Sequence, residues 1–130
     1  MRLSPSEFDR LVNECMDIIP PHFRQQLQNV VFVVEGEPKG ADLLGLFEGR
    51  PATERPSSLT FEPPSRITIY QGPHERAALT LPALKRLVRE TIWHEVAHYF
   101  GLDERQVLDA ESRRHRVLHA LRSRRRRRDL

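Results

Sequence analysis

Residues 80–104, TLPALKRLVRETIWHEVAHYFGLDE, constrain this chain more than any other stretch. Thr80 suits a helix N-cap and Pro82 its first turn. Leu84, Leu87, Thr91, His94 and His98 then fall on one face, and Val88, Ile92, Val96 and Tyr99 make a second side. A helix apolar on so much of its circumference is buried. Ionisable side chains in the middle of a buried helix cost free energy unless something compensates them. His94, Glu95 and His98 therefore need a partner, and a metal ion supplies one.

The spacing gives that partner a geometry. Residues four apart lie on one helical face, so His94 and His98 present two imidazoles to one ion. Glu95, about 100° further round, falls beside the ion's open position, where a carboxylate serves as general base toward an activated water. A catalytic zinc has three protein ligands, so one more is required. Gly101 suits a left-handed residue that ends the helix and turns the chain back. Glu104 then occupies the last position of the extended pattern H-E-x-x-H-x-x-G-x-x-H, with an acid in place of histidine. Asp103 is the alternative third ligand, and also a candidate cap for a following helix. Two imidazoles and a carboxylate favour one zinc ion per chain, although iron, cobalt or nickel accept the same donors.

Length and charge bound the rest. A chain of 130 residues with 38% apolar content forms one domain with a modest core. No run of about 18 apolar residues is present, so no transmembrane helix is expected. The N-terminal stretch has no apolar core of a signal peptide, and the single cysteine, Cys15, has no internal partner. A cytoplasmic location is the expectation. The net charge of +3 is a property of one end: residues 122–130 contain six arginines and one aspartate. Without them the 21 basic and 18 acidic residues become 15 and 17, a net charge of −2 for residues 1–121. The division expected is a single domain over 1–121 and an arginine-rich, disordered tail over 122–130.

Ser4-Pro5-Ser6-Glu7 opens a first helix, with Phe8, Leu11, Val12, Cys15, Met16 and Ile19 as its stripe and Pro20-Pro21 as its end. A short helical turn covers 22–28. Residues 29–35, NVVFVVE, read as a central strand, 43–49 as a second and 66–70, RITIY, as a third. Four prolines between 51 and 65 indicate a surface loop. Gln71-Gly72-Pro73-His74 reads as a turn, with His74 solvated. A last helix runs on from Asp103. This order predicts an α+β fold: a small mixed β-sheet packed against the buried His94 helix, with flanking N- and C-terminal helices.

The segment HEVAHYFGLDE, preceded in order by NVVFVVEG, LLGLFEGRP and RITIYQGP, resembles the minimal zincin family of small bacterial zincin-like metallopeptidases. The resemblance spans roughly residues 5–110. It implies a reduced zincin fold with a cleft between sheet and helix, His94 and His98 as metal ligands, Glu95 as catalytic base and Glu104 as an acidic third ligand. The activity implied is metal-assisted hydrolysis of peptide bonds in a peptide or protein substrate. The chain departs from the broader metzincin pattern, because its methionines, Met1 and Met16, both precede the motif and leave no Met-turn. An alternative keeps the metal site and removes turnover: a zincin-like interaction module.

Other features carry less chemistry. Tyr70 and Tyr99 are candidate oxyanion donors, with Tyr70 the better placed at a strand end. His115 and His119 are also four apart, but they sit among arginines that oppose a cation, and read as a solvated face. The arginine tail lacks interleaved aromatics to stack on bases, which argues against a nucleic-acid partner.

Overall fold

The computed structural model describes residues 1–49, 63–103, 105, 106 and 109. Residues 50–62, where a loop is expected, Glu104, most of the expected last helix with His115 and His119, and the arginine tail lie outside them. Helix α1 (Pro5–Cys15) opens on a capping box in which Ser4 Oγ accepts from the Glu7 N–H at 3.2 Å and Glu7 Oε1 accepts from the Ser4 N–H at 3.1 Å. A 3-10 turn (Met16–Ile18) and short α2 (Pro21–Gln26) lead to strand β1 (Val30–Glu35). Strands β2 (Gly45–Glu48) and β3 (Ser65–Tyr70) follow, then α3 (Gln71–Ala77) and the long α4 (Leu81–Tyr99). The structure is α+β, as the order of periodic segments predicts.

The sheet has the order β1-β3-β2 and is mixed: β1 runs parallel to β3, and β2 antiparallel to it. The expectation that 29–35 is central is therefore corrected. β3 holds the centre, and β1 lies at an edge of the described sheet. A valine-rich run marks burial, but cannot say whether one or both of its edges are paired. The core joins Phe8, Leu11, Val12 and Cys15 of α1 to Ile67 and Ile69 of β3 and to Leu84, Val88, Ile92 and Val96 of α4. Burial pushes the Cys15 thiol up to about 11, in keeping with a small core residue and not a reactive one. Outside the core, Glu14 pairs with Lys85 at 3.1 Å and Asp17 with Arg89 at 2.9 Å, lacing α1 and its turn to α4. Among the described residues no helix is long and apolar enough to cross a membrane.

A second correction concerns residues 71–74. They do not form a turn but open α3, which continues directly from β3. Pro73 is accommodated because the first turn of a helix leaves its N–H groups unpaired. A Cβ at Gly72 would meet the Glu37 carboxylate, which would have to swing aside, and the Gly72 N–H donates to the Gly36 carbonyl at 2.8 Å. His74 is consequently carried inward and is completely buried, not solvated.

Ile92 sits at the junction of α1, β3 and α4 with no exposed surface. Ile92→Ala is expected to lower the unfolding free energy by about 2–5 kcal/mol, read as a shift of the urea midpoint at unchanged slope.

Candidate metal centre

The last two turns of α4 carry the candidate residues. Thr80 Oγ1 accepts from the Ala83 N–H at 3.2 Å and fixes the helix start. Further along the same helix, the i, i+4 spacing sets the rings of His94 and His98 5.0 Å apart at an interplanar angle of 71°. One ligand atom from each of His94, Glu95 and His98 lies within 4.8 Å of the other two. Glu95 is nearly buried, and the two imidazoles are half-exposed.

The helix stop orients one of those side chains. Gly101 has φ +85°, the left-handed conformation that a Cβ makes costly. Its N–H donates to the His98 carbonyl at 2.9 Å, and the Leu102 N–H donates to the Ala97 carbonyl at 3.1 Å, so the reversal closes in the manner of a Schellman motif. It carries the Leu102 carbonyl to 3.1 Å from His98 Nδ1. A carbonyl only accepts, so Nδ1 holds the proton and Nε2 keeps its lone pair for a cation. Two imidazoles converging beside a cleft, one ring held with its Nε2 lone pair free and a carboxylate next to them, fit two of the donors that a divalent metal takes.

Asp103 is engaged elsewhere. Its Oδ1 accepts from the Gln106 N–H, and its own N–H donates to Gln106 Oε1, both at 2.8 Å, so it caps the following turn. It lines the cleft without joining the three clustered residues. Glu104 lies outside the described residues.

The cleft holds about 820 Å³ between α4 and the approach to β2, with His94, Glu95 and His98 on one wall and Leu43 to Phe47 on the other. Gly45 explains how the walls come so close. A Cβ built there would lie 2.7 Å from Thr91 Cγ2 and 3.2 Å from Glu95 Cγ. Of the two tyrosines, Tyr99 is committed to structure: its hydroxyl accepts from the Gln28 N–H at 3.0 Å and lies 3.2 Å from the Gln28 carbonyl. Tyr70 is buried, and burial, together with Glu35 and Glu48, raises its phenol above the usual value. Neither is among the residues lining the cleft.

Sequence reasoning missed the residues behind the cluster. Gly45 had no visible role within a hydrophobic run, and a histidine after Gly-Pro carries no mark of burial. Burial holds the His74 imidazole below its ordinary pKa. The unfolded chain therefore binds that proton at a higher pH than the native state does, and His74 lowers stability progressively as pH falls through and below 6.5. His74→Gln lacks this titration. Its stability deficit relative to the wild type is expected to narrow between about pH 7.5 and pH 5, measured by urea unfolding across that range. A further expectation concerns the helix stop: Gly101→Ala is expected to cost about 1–2 kcal/mol of stability in thermal or urea unfolding, with the His98 tautomer loosened in imidazole NMR.

The profile of the zincin-like metallopeptidase family matches residues 27–114, which include both cleft walls and the clustered residues. A solved structure, a conserved hypothetical protein from Thermo thermophilus, is similar at a TM-score of 0.51 and 25% identity, over 75% of this chain and 94% of that one. No curated protein matches the chain. With the family profile covering well over half its length, the chain belongs to the zincin-like metallopeptidases.

Proposed function

We propose that the protein is a zinc-dependent peptidase in which His94, His98 and Glu104 hold the metal and Glu95 is the general base. The observation that carries this reading is the convergence of His94, Glu95 and His98 within 4.8 Å on a cleft wall opposite β2. Glu104 is preferred as third ligand because Asp103 is already used as a helix cap. When bound, zinc supplies Lewis-acid polarisation of a carbonyl and lowers the pKa of water to about 7. Glu95 takes the proton of the attacking water on its carboxylate and delivers it to the departing amide nitrogen. Its side chain is buried beside Gly45, where a Cβ would crowd the Glu95 Cγ at 3.2 Å, so the carboxylate is offered from a confined stem.

The substrate suited to this cleft is an extended peptide. β2 is the last strand of the described sheet on the cleft side. The Leu44 carbonyl accepts from the Tyr70 N–H at 3.0 Å, toward β3. By antiparallel alternation, the peptide groups of Gly45 and Phe47 face away from β3, where a peptide adds as a further strand. Leu43, Leu44 and Leu46 give the wall an apolar character suited to aliphatic side chains.

The test is metal content and hydrolysis measured together. About one zinc per chain is expected in the wild type, with loss in His94→Ala, His98→Ala and Glu104→Ala. Zinc retained by Glu104→Ala would remove that residue from the ligand set. Glu95→Gln is expected to keep zinc and lose about 10²–10⁴-fold in kcat on a peptide library. A zinc-loaded wild type that cleaves no peptide would leave the alternative, a metal-binding interaction module.

A further inference from the structure

His74 is fully buried, has no counter-charge among its hydrogen-bond partners, and takes no part in the mechanism above. Its two nitrogens face in different directions. Nδ1 lies 2.6 Å from the Tyr70 carbonyl at the end of β3, and Nε2 lies 2.9 Å from Thr91 Oγ1 in the middle of α4. The carbonyl must accept, so Nδ1 carries the proton of the neutral ring. Nε2 then accepts from the Thr91 hydroxyl, whose single proton is shared with the Leu87 carbonyl at 3.0 Å. One rigid ring therefore ties the central strand to the active-site helix.

Both ties end on the same stretch of the cleft wall. Through the first, the residue whose carbonyl His74 holds, Tyr70, donates its own N–H to the Leu44 carbonyl at 3.0 Å. Through the second, Thr91 presents Cγ2 to Gly45, the next residue along. Thr91 stands one helical turn before Glu95, and the Glu95 Cγ borders the same space, 3.2 Å from where a Gly45 Cβ would lie. We infer that His74, acting through Thr91, is a positioning residue that holds the Leu44–Gly45 wall and the Glu95 turn of α4 at a fixed separation. A buried imidazole costs desolvation that leucine or phenylalanine would avoid. Two hydrogen bonds at opposite ends of one ring are what an apolar side chain cannot supply. Calling the held groups catalytic rests on the peptidase reading; the brace itself rests on geometry alone.

The test is amide hydrogen exchange, residue by residue, on the full chain with and without zinc, for wild type, Thr91→Val, His74→Phe and the double variant. Thr91→Val keeps shape and removes the hydroxyl; His74→Phe keeps a ring and removes both nitrogens. Each single change is expected to speed exchange of the Leu46 and Glu48 amides, which face β3, about tenfold more than over α1 and β1, as loss of one buried hydrogen bond would. The double variant is expected to exceed His74→Phe hardly at all, because Thr91 acts through His74. Zinc affinity, by competition with a chromophoric chelator, is expected to fall about three- to tenfold in Thr91→Val through loosening of the Glu95 turn. Exchange in β2 that rises no more than in α1 and β1, or single effects that add in the double variant, would overturn the brace. If His74→Phe does not fold, the local-against-global comparison in Thr91→Val decides alone. The two readings separate cleanly. A wild type that takes no zinc, with variants that show the β2 pattern, removes the peptidase and keeps the brace, whereas zinc uptake with β2 exchange unchanged in the variants does the reverse.

Discussion

Everything in the candidate site depends on one helix being packed nearly all round while it carries ionisable groups on its final turns. Leu84, Val88, Ile92 and Val96 bind α4 to α1 and β3, leaving little freedom for the helix to shift. That rigidity is what lets two imidazoles and a carboxylate stay close without a covalent link. The same burial would be unfavourable for three polar groups in isolation. A cleft on one side, into which a donor set for a metal can open, is the arrangement that makes such a helix stable and useful at once.

The opposite wall is set by the smallest side chain. Gly45 lets β2 approach until Thr91 and Glu95 occupy the space a Cβ would need, a separation that even alanine would force apart. Close approach has a cost in conformational entropy at glycine, and the structure offsets it with hydrogen bonds on both sides: Leu44 to Tyr70, and Thr91 to His74. α3 is central to this because it faces two ways. His74 points inward to α4. Arg76 points outward, pairing with Glu37 at 2.6 Å and Asp42 at 2.9 Å on the loop that leads into the cleft. The outer pairs are exposed and contribute little stability by themselves, but they tether the loop that contains Asp42 to the same short helix that carries His74.

Local rules read most of the elements correctly. The Ser4 and Thr80 caps, the α1 stripe from Phe8 to Cys15, the Gly101 stop and the three strand segments all follow from interactions within a few residues, and each is present, although α1 gives way to a 3-10 turn at Met16, before Pro20-Pro21. The misreadings have a common origin. Gly72-Pro73 resembles a turn when only neighbours are considered. In the fold it is the first turn of α3, and the Gly72 N–H donates to the carbonyl of Gly36, far away in sequence. β1 looks central by composition, but which strand has two partners is decided by pairing, not by side-chain type.

The spacing of His94, Glu95 and His98, and the reversal at Gly101, were determined by sequence alone. They are set by the pitch of a helix and by the one residue type that adopts its left-handed terminus without strain. Tertiary structure alone decided that β3 is central, that Gly45 faces Glu95, and that His74 lies buried between β3 and α4. Each of these is a contact between segments, and its free energy comes from packing and hydrogen bonds that no local stretch contains.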